Sequence, residues 1–203
     1  MRISGKGKLD SEWGNGPRYK QAELDALNFI KLQPLWKDMT CAVGSSSSRT
    51  DGLWIKGESL KFLTEVKSRD TFGKNSSLEF TWDNLLNKYQ GKYLISQGKI
   101  DENVEVAKFH GIPFYLIINF MVESKLLFVP VSDLDGNMIV DYSVKELFTQ
   151  GTSNGGRKKD KVYHLDVSTS PDSRWMSMKK NKNSINDIEM SREITTHHLV
   201  ESP

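Results

Sequence analysis

A chain of 203 residues with 28 Lys and Arg against 26 Asp and Glu has a formal net charge of +2, which permits a polyanionic partner without demanding one. Its 37% hydrophobic content supports one buried core with an appendage, and its single cysteine, Cys41, excludes an intramolecular disulfide framework. The longest apolar stretch, 112–122, falls far short of the roughly 20 residues of a membrane-spanning helix, and no secretory leader pattern opens the chain, so an intracellular (cytoplasmic) protein is expected.

Residues 1–17, MRISGKGKLDSEWGNGP, are polar, Gly-rich and aperiodic, and read as a flexible, mildly basic arm. Ala22, Leu24, Leu27 and Ile30 recur near helical spacing and predict a helix over 18–32, closed by Pro34. CAV at 41–43 predicts a short strand entering the loop GSSSSRT, after which DGLWIKG and LKFLTEVKS predict a hairpin around Gly57-Glu58-Ser59. Beyond a polar loop at 71–77, Phe80, Leu85, Leu86, Tyr89, Tyr93 and Leu94 predict one helical layer over 78–96. Gly98 then marks a break before a second helical segment, DENVEVAKFH, which ends at Gly111. The run IPFYLIINFMV predicts a core strand, Glu123-Ser124-Lys125 a turn, and LLFVPV its partner strand. From 151 the character changes to a basic, Gly-rich linker, then KVYHLDVST as an edge strand, then a polar tail over 171–203 with little periodicity. The expected organisation is an arm at 1–17, a core at 18–150, and linker, edge strand and tail at 151–203.

The hairpin concentrates the chemistry. With a three-residue turn, Lys56 faces Leu60, and counting back sets Asp51 opposite Glu65, with Cβ atoms about 5 Å apart. Lys67, two residues further on, shares their face. Carboxylates this close repel each other unless a hard divalent cation with oxygen ligands, typically magnesium, joins them. The competing explanation is a cross-strand salt bridge on an exposed sheet face. Against it, Leu53, Ile55 and Leu63 make that face mostly apolar, so the charges terminate a buried surface. Glu123-Ser124-Lys125 repeats the Glu-x-Lys pattern in a turn, with no strand to supply a second carboxylate, and reads as a solvated turn.

Thr50-Asp51 followed by Glu65-Val66-Lys67, within the order helix, three-stranded meander, helix, strand, resembles the PD-(D/E)XK nuclease superfamily over about residues 18–131, with Thr50 in place of the usual proline. The resemblance implies an α/β fold with a restriction-endonuclease-like core, a central mixed sheet flanked by helices in αβββαβ order. It implies magnesium, replaceable by manganese, held by Asp51, Glu65 and the Val66 carbonyl. Lys67 would orient or deprotonate the attacking water, giving phosphodiester hydrolysis to 5′-phosphate and 3′-hydroxyl ends. It also implies that Glu23 on the first helix reaches the metal, directly or through water, and that Gln90 sits near the site; each is equally well explained as an exposed helical residue. The implied partner is DNA. GSSSSRTDG with TEVKSR is similar to Holliday-junction resolvases and small restriction-type endonucleases, and a chain with one catalytic centre cuts two strands as a two-fold dimer, so a homodimer is expected. A sequence-specific restriction-type enzyme and a non-catalytic DNA-binding protein on the same scaffold remain as alternatives.

Of the remaining candidates, Ser45 to Ser48 can contact phosphate but equally form a plain loop, while Arg49, Arg69 and Lys74 flank the site as backbone clamps. His197-His198 lacks the one-turn spacing of a zinc pair. Cys41, Trp54 and Trp82 read as packing residues.

Overall fold

The computed structural model describes residues 17–44, 50–72, 76–149, 158–170 and 172–178. A first helix, α1 (Pro17–Lys31), and a short 3-10 turn (Pro34–Trp36) lead into β1 (Thr40–Val43), β2 (Gly52–Lys56) and β3 (Ser59–Arg69). Then follow α2 (Trp82–Tyr89), β4 (Lys92–Ser96), α3 (Gln97–His110), β5 (Phe114–Phe120) and β6 (Lys125–Ser132). The last elements are β7 (Tyr142–Thr149), β8 (Lys158–Asp166) and β9 (Arg174–Ser177). The class is mixed α/β, as the sequence predicts.

Six strands form a mixed sheet in the order β1-β2-β3-β5-β6-β9, in which only β3 and β5 run parallel. A parallel pair needs a long crossover, and α2, β4 and α3 supply it. One face of this sheet takes α1, whose Ala26, Leu27 and Ile30 pack on Trp54, Phe62, Val66 and Ile117. The other face carries Leu63, Leu116, Ile118 and Leu127 under Leu85 of α2 and Ile100 and Ala107 of α3. A second sheet, in the order β4-β8-β7, adds Tyr93, Ile95, Tyr163 and Leu165 to that core. Burial on both faces explains why β5 reads as a continuous apolar run.

Four local expectations change. The helix predicted over 78–96 stops at Tyr89, because Gln90 and Gly91 take left-handed conformations, φ 55° and 71°, and turn the chain into β4. There Tyr93 and Ile95 point inward by strand alternation, and the chain has no helical turn left on which Leu94 and Tyr93 share a stripe. The break assigned to Gly98 is instead the first turn of α3, which starts at Gln97. KVYHLDVST is not an edge: β8 is the middle strand of the second sheet, and β7 and β9, which the sequence did not announce, pair with β8 and β6. The hairpin turn has two residues, with Lys56 opposite Ser59, and Gly57 at φ 61°. A bulge then places Leu60 opposite Ile55 but Phe62 opposite Trp54, so Lys61 is the extra residue. The shorter turn and the bulge offset each other, and Gly52 meets Thr64 as the sequence count requires.

Among the described residues no helix is long and apolar enough to cross a membrane. The arm through Gly16, Ser45 to Ser48, Arg49, Lys74, the 151–157 linker and 179–203 with His197-His198 lie outside the described residues.

Candidate functional site

Thr64 ties the two strands together at the base of the site. Its carbonyl accepts the Asp51 amide at 3.2 Å and the Thr50 hydroxyl at 2.9 Å, while its own Oγ1 accepts Trp54 Nε1 at 3.1 Å. Glycine at 52 is what allows this approach, since a Cβ there would stand 2.5 Å from Thr64 Oγ1.

β3 runs on past the end of β2, and that overhang makes the site. In a strand, one residue's N–H and C=O project from the same edge, and neighbouring residues alternate. Odd-numbered residues of β3 serve β5: Leu63 N–H donates to the Pro113 carbonyl at 3.0 Å and the Arg69 carbonyl accepts Met121 N–H at 3.0 Å. Val66 and Ser68 therefore present their backbone groups to the edge that β2 has vacated. Two acidic side chains claim the amides there. Asp51 Oδ2 accepts Val66 N–H at 2.8 Å. The Glu23 carboxylate, from α1, accepts a backbone hydrogen bond from Ser68. The Val66 carbonyl lies along the edge between these two amides, and so between two carboxylates.

α1 is fixed for this purpose by contacts in its first two turns. Tyr19 Oη donates to Asp70 Oδ1 at 2.6 Å and Arg18 Nη1 lies 2.9 Å from Asp70 Oδ2, just past the end of β3. Asn119 Nδ2, on β5, donates to the Ala22 carbonyl at 3.3 Å and to Ser68 Oγ at 3.0 Å. Glu23 follows Tyr19 by one helical turn on the same face.

Glu65 and Lys67 project from the opposite face of β3, together with Leu63. Glu65 is fully buried, and its Oε1 stands 2.7 Å from Lys67 Nζ. Its Oε2 is 3.5 Å from Nζ of Lys99, in the first turn of α3. Burial pushes the Glu65 carboxyl up to about 7; Lys67 and Lys99 oppose the rise and Asp51 adds to it. Burial likewise pushes Glu23 up to about 7, opposed by Lys67 and reinforced by Asp51 and Glu65. The acids thus feel one another's fields and share one ammonium.

Among the described residues no three His, Cys, Asp or Glu side chains converge closely enough to hold a metal ion by themselves. The donor set suited to one is mixed: half-buried Asp51, buried Glu65 and the Val66 carbonyl, with Glu23 beside them. All of these donors are oxygen, and a hard divalent cation offsets both the burial that raises Glu23 and Glu65 and the neighbouring acids that add to it, so the residues fit magnesium chemistry.

The structure therefore brings Asp51, Glu65, Val66, Lys67 and Glu23 together. Gln90 is placed otherwise: it is the exposed residue capping the C-terminus of α2, with its amide on the Leu86 carbonyl at 3.0 Å. The helical residue that reaches Glu65 is Lys99, which sequence reasoning missed. Its one signal was a lysine in the first turn of the helix that feeds the core strand β5. Glu123-Ser124-Lys125 is a turn, with Ser124 at φ 53°, but Glu123 is engaged there, accepting Trp82 N–H at 2.7 Å. Trp54 is core, fully buried, and burial pushes the half-buried Cys41 thiol up to about 11.

No protein-family model matches the chain, and neither the curated proteins nor the solved structures contain a significant match to it.

Proposed function

We propose that the chain is a magnesium-dependent DNA endonuclease of the PD-(D/E)XK type, built on a restriction-endonuclease-like core and acting inside the cell as a homodimer. The observation that carries this reading is the overhanging edge of β3, where the Val66 carbonyl lies between Asp51 and Glu23 while Glu65 is buried against Lys67 and Lys99. Asp51, Glu65 and the Val66 carbonyl would hold magnesium, or manganese in its place, which supplies acidification of a bound water and polarisation of the phosphate. Lys67, its side chain only 12% exposed, holds its ammonium against the buried carboxylate, where it would orient the attacking water and offset charge developing on the phosphate. Lys99 pairs with the second Glu65 oxygen and favours the ionised form of that carboxylate against its burial. Glu23, with its carboxyl near 7, holds or accepts a proton of water at neutral pH. Hydrolysis in this arrangement leaves 5′-phosphate and 3′-hydroxyl ends, and a dimer of such sites suits a four-way junction, cut on two symmetry-related strands.

The test is cleavage of linear duplex, four-way junction and single-stranded DNA by the purified protein, with magnesium, with manganese and with EDTA. Metal-dependent cleavage that Asp51→Ala and Glu65→Ala abolish is the expected result. Wild-type activity in excess EDTA, or full activity of Asp51→Ala, removes the assignment. Equal cleavage of junction and duplex removes the junction preference alone.

A further inference from the structure

β4 ends at Ser96, opposite Val162, yet β7 and β8 stay paired through Glu146↔Lys161, Leu147↔Asp160, Phe148↔Lys159 and Thr149↔Lys158. A two-stranded ribbon about 13 Å long therefore continues past the third strand. Such a ribbon adds little to stability by itself. Glu146, Lys159 and Lys161 on it are exposed, and none of its described side chains belongs to the core. Its position is fixed at its base, where Tyr163 Oη donates to Asp101 Oδ1 of α3 at 2.7 Å. Asp101 is two residues after Lys99, whose ammonium reaches Glu65. Ribbon and candidate site thus flank the same first turns of α3.

Strand alternation puts Lys159 and Lys161 on the face of β8 shared with Tyr163, the face turned toward α3. Lys145 stands exposed on the other face. Over its paired residues and Lys145 the ribbon carries four lysines, at 145, 158, 159 and 161, against the two acids Glu146 and Asp160. Lys159 lies 3.5 Å from Glu146, but both side chains are more than half exposed, so the pair is weak and gives way to a stronger anion. A two-stranded β-ribbon is also a shape that the major groove of B-DNA admits.

We propose that the β7–β8 ribbon is an arm that grips double-stranded DNA, laying Lys159 and Lys161 against backbone phosphates next to the bond presented to Asp51, Glu65 and Lys67. This deepens, and rests on, the nuclease reading. The experiment measures the affinity of the full chain for a fluorescent linear duplex in EDTA across a salt series, beside magnesium-dependent cleavage by the wild type. Lys159→Gln/Lys161→Gln is compared with Lys56→Gln/Lys61→Gln, which removes equal charge at the far end of β3. The ribbon variant is expected to bind about tenfold more weakly, with the slope of log K against log salt reduced by about 2, while the hairpin variant keeps both. If the double ribbon variant has a shifted melting temperature, the single substitution Lys161→Gln on the same face replaces it and is expected to reduce the slope by about 1. Wild-type slope and affinity in the ribbon variants, with the wild type still cleaving, overturn the arm and leave the nuclease standing. A wild type that cuts a four-way junction but does not bind linear duplex overturns the arm alone, and one that neither binds nor cuts linear duplex, junction or single-stranded DNA overturns both.

Discussion

Glu65 gives the folded chain a pH-dependent stability when no divalent metal is present. Its carboxyl ionises near 4.5 when unfolded and near 7 when folded, so between those values the folded state holds the proton that the unfolded state has lost. Stability is then fullest below about 4.5 and falls as pH rises through 7, by an amount on the order of 3 kcal/mol for this one residue. Glu23 has the same sign and the same window. We therefore expect the melting temperature in EDTA to drop between pH 5 and pH 7.5, and Glu65→Gln to flatten that slope and melt higher than wild type at pH 8. A flat wild-type profile would contradict the burial argument. Binding of magnesium in this window should release protons, which calorimetry in buffers of different ionisation enthalpy reads directly. At Lys99, removing the ammonium leaves a buried carboxylate with one partner fewer. Lys99→Met should cut turnover by at least tenfold, whereas Gln90→Ala, at an exposed helix cap, should leave it unchanged; steady-state kinetics on one DNA substrate separates the two. Gly52→Ala drives a methyl to within 2.5 Å of Thr64 Oγ1 and should cost about 1–3 kcal/mol in urea unfolding.

The β2–β3 hairpin shows what the sequence made legible and why. Asp51, Glu65 and Lys67 lie within seventeen residues of chain, joined by one turn, so strand alternation and a register count suffice to place them together. The count assumed a three-residue turn, and it survived because bulged Lys61 restores the residue that the two-residue turn omits. Deleting Lys61 should therefore be tolerated: Leu60 would abut Phe62 in strict alternation, with Leu60 still on the α3 side and Phe62 on the α1 side. The deletion variant is expected to keep metal-dependent cleavage, while deletion of Leu63, which turns every later side chain of β3 to the wrong face, should abolish it. Lys99 was not legible in this way, because its contact with Glu65 exists only after the crossover through α2, β4 and α3 has set β5 beside β3. β4 was misread for a different reason. Tyr89 and Tyr93 stand at helical spacing, and only the left-handed pair Gln90-Gly91 between them cancels the helix. Gly91 is also held for space, since a Cβ there would lie 2.3 Å from Ser168 Oγ.

At the scale of the whole molecule, residues beyond 150 complete both sheets. β8 joins β4 to β7 and buries Val162, Tyr163 and Leu165, and β9 extends the larger sheet beyond β6. Truncation after Gln150 should accordingly unfold the second sheet and lower the melting temperature by more than any single substitution above, so loss of DNA binding in that fragment would say nothing about the ribbon. Tyr163→Phe, which removes only the hydroxyl on Asp101, is the gentler probe of the same contact and should cost about 1 kcal/mol. The single parallel pairing in the larger sheet also imposes an order in time. A hairpin such as β2–β3 closes in microseconds, but Leu116 must travel some fifty residues of chain to meet Glu65, and pairings that distant are slow. During folding, Asp51 and Glu65 are thus brought together before Lys99 arrives to neutralise them. Until then the nascent hairpin sets two facing acids against the single ammonium of Lys67, and refolding at low ionic strength should be slowest when neither salt nor magnesium is there to offset the second negative charge.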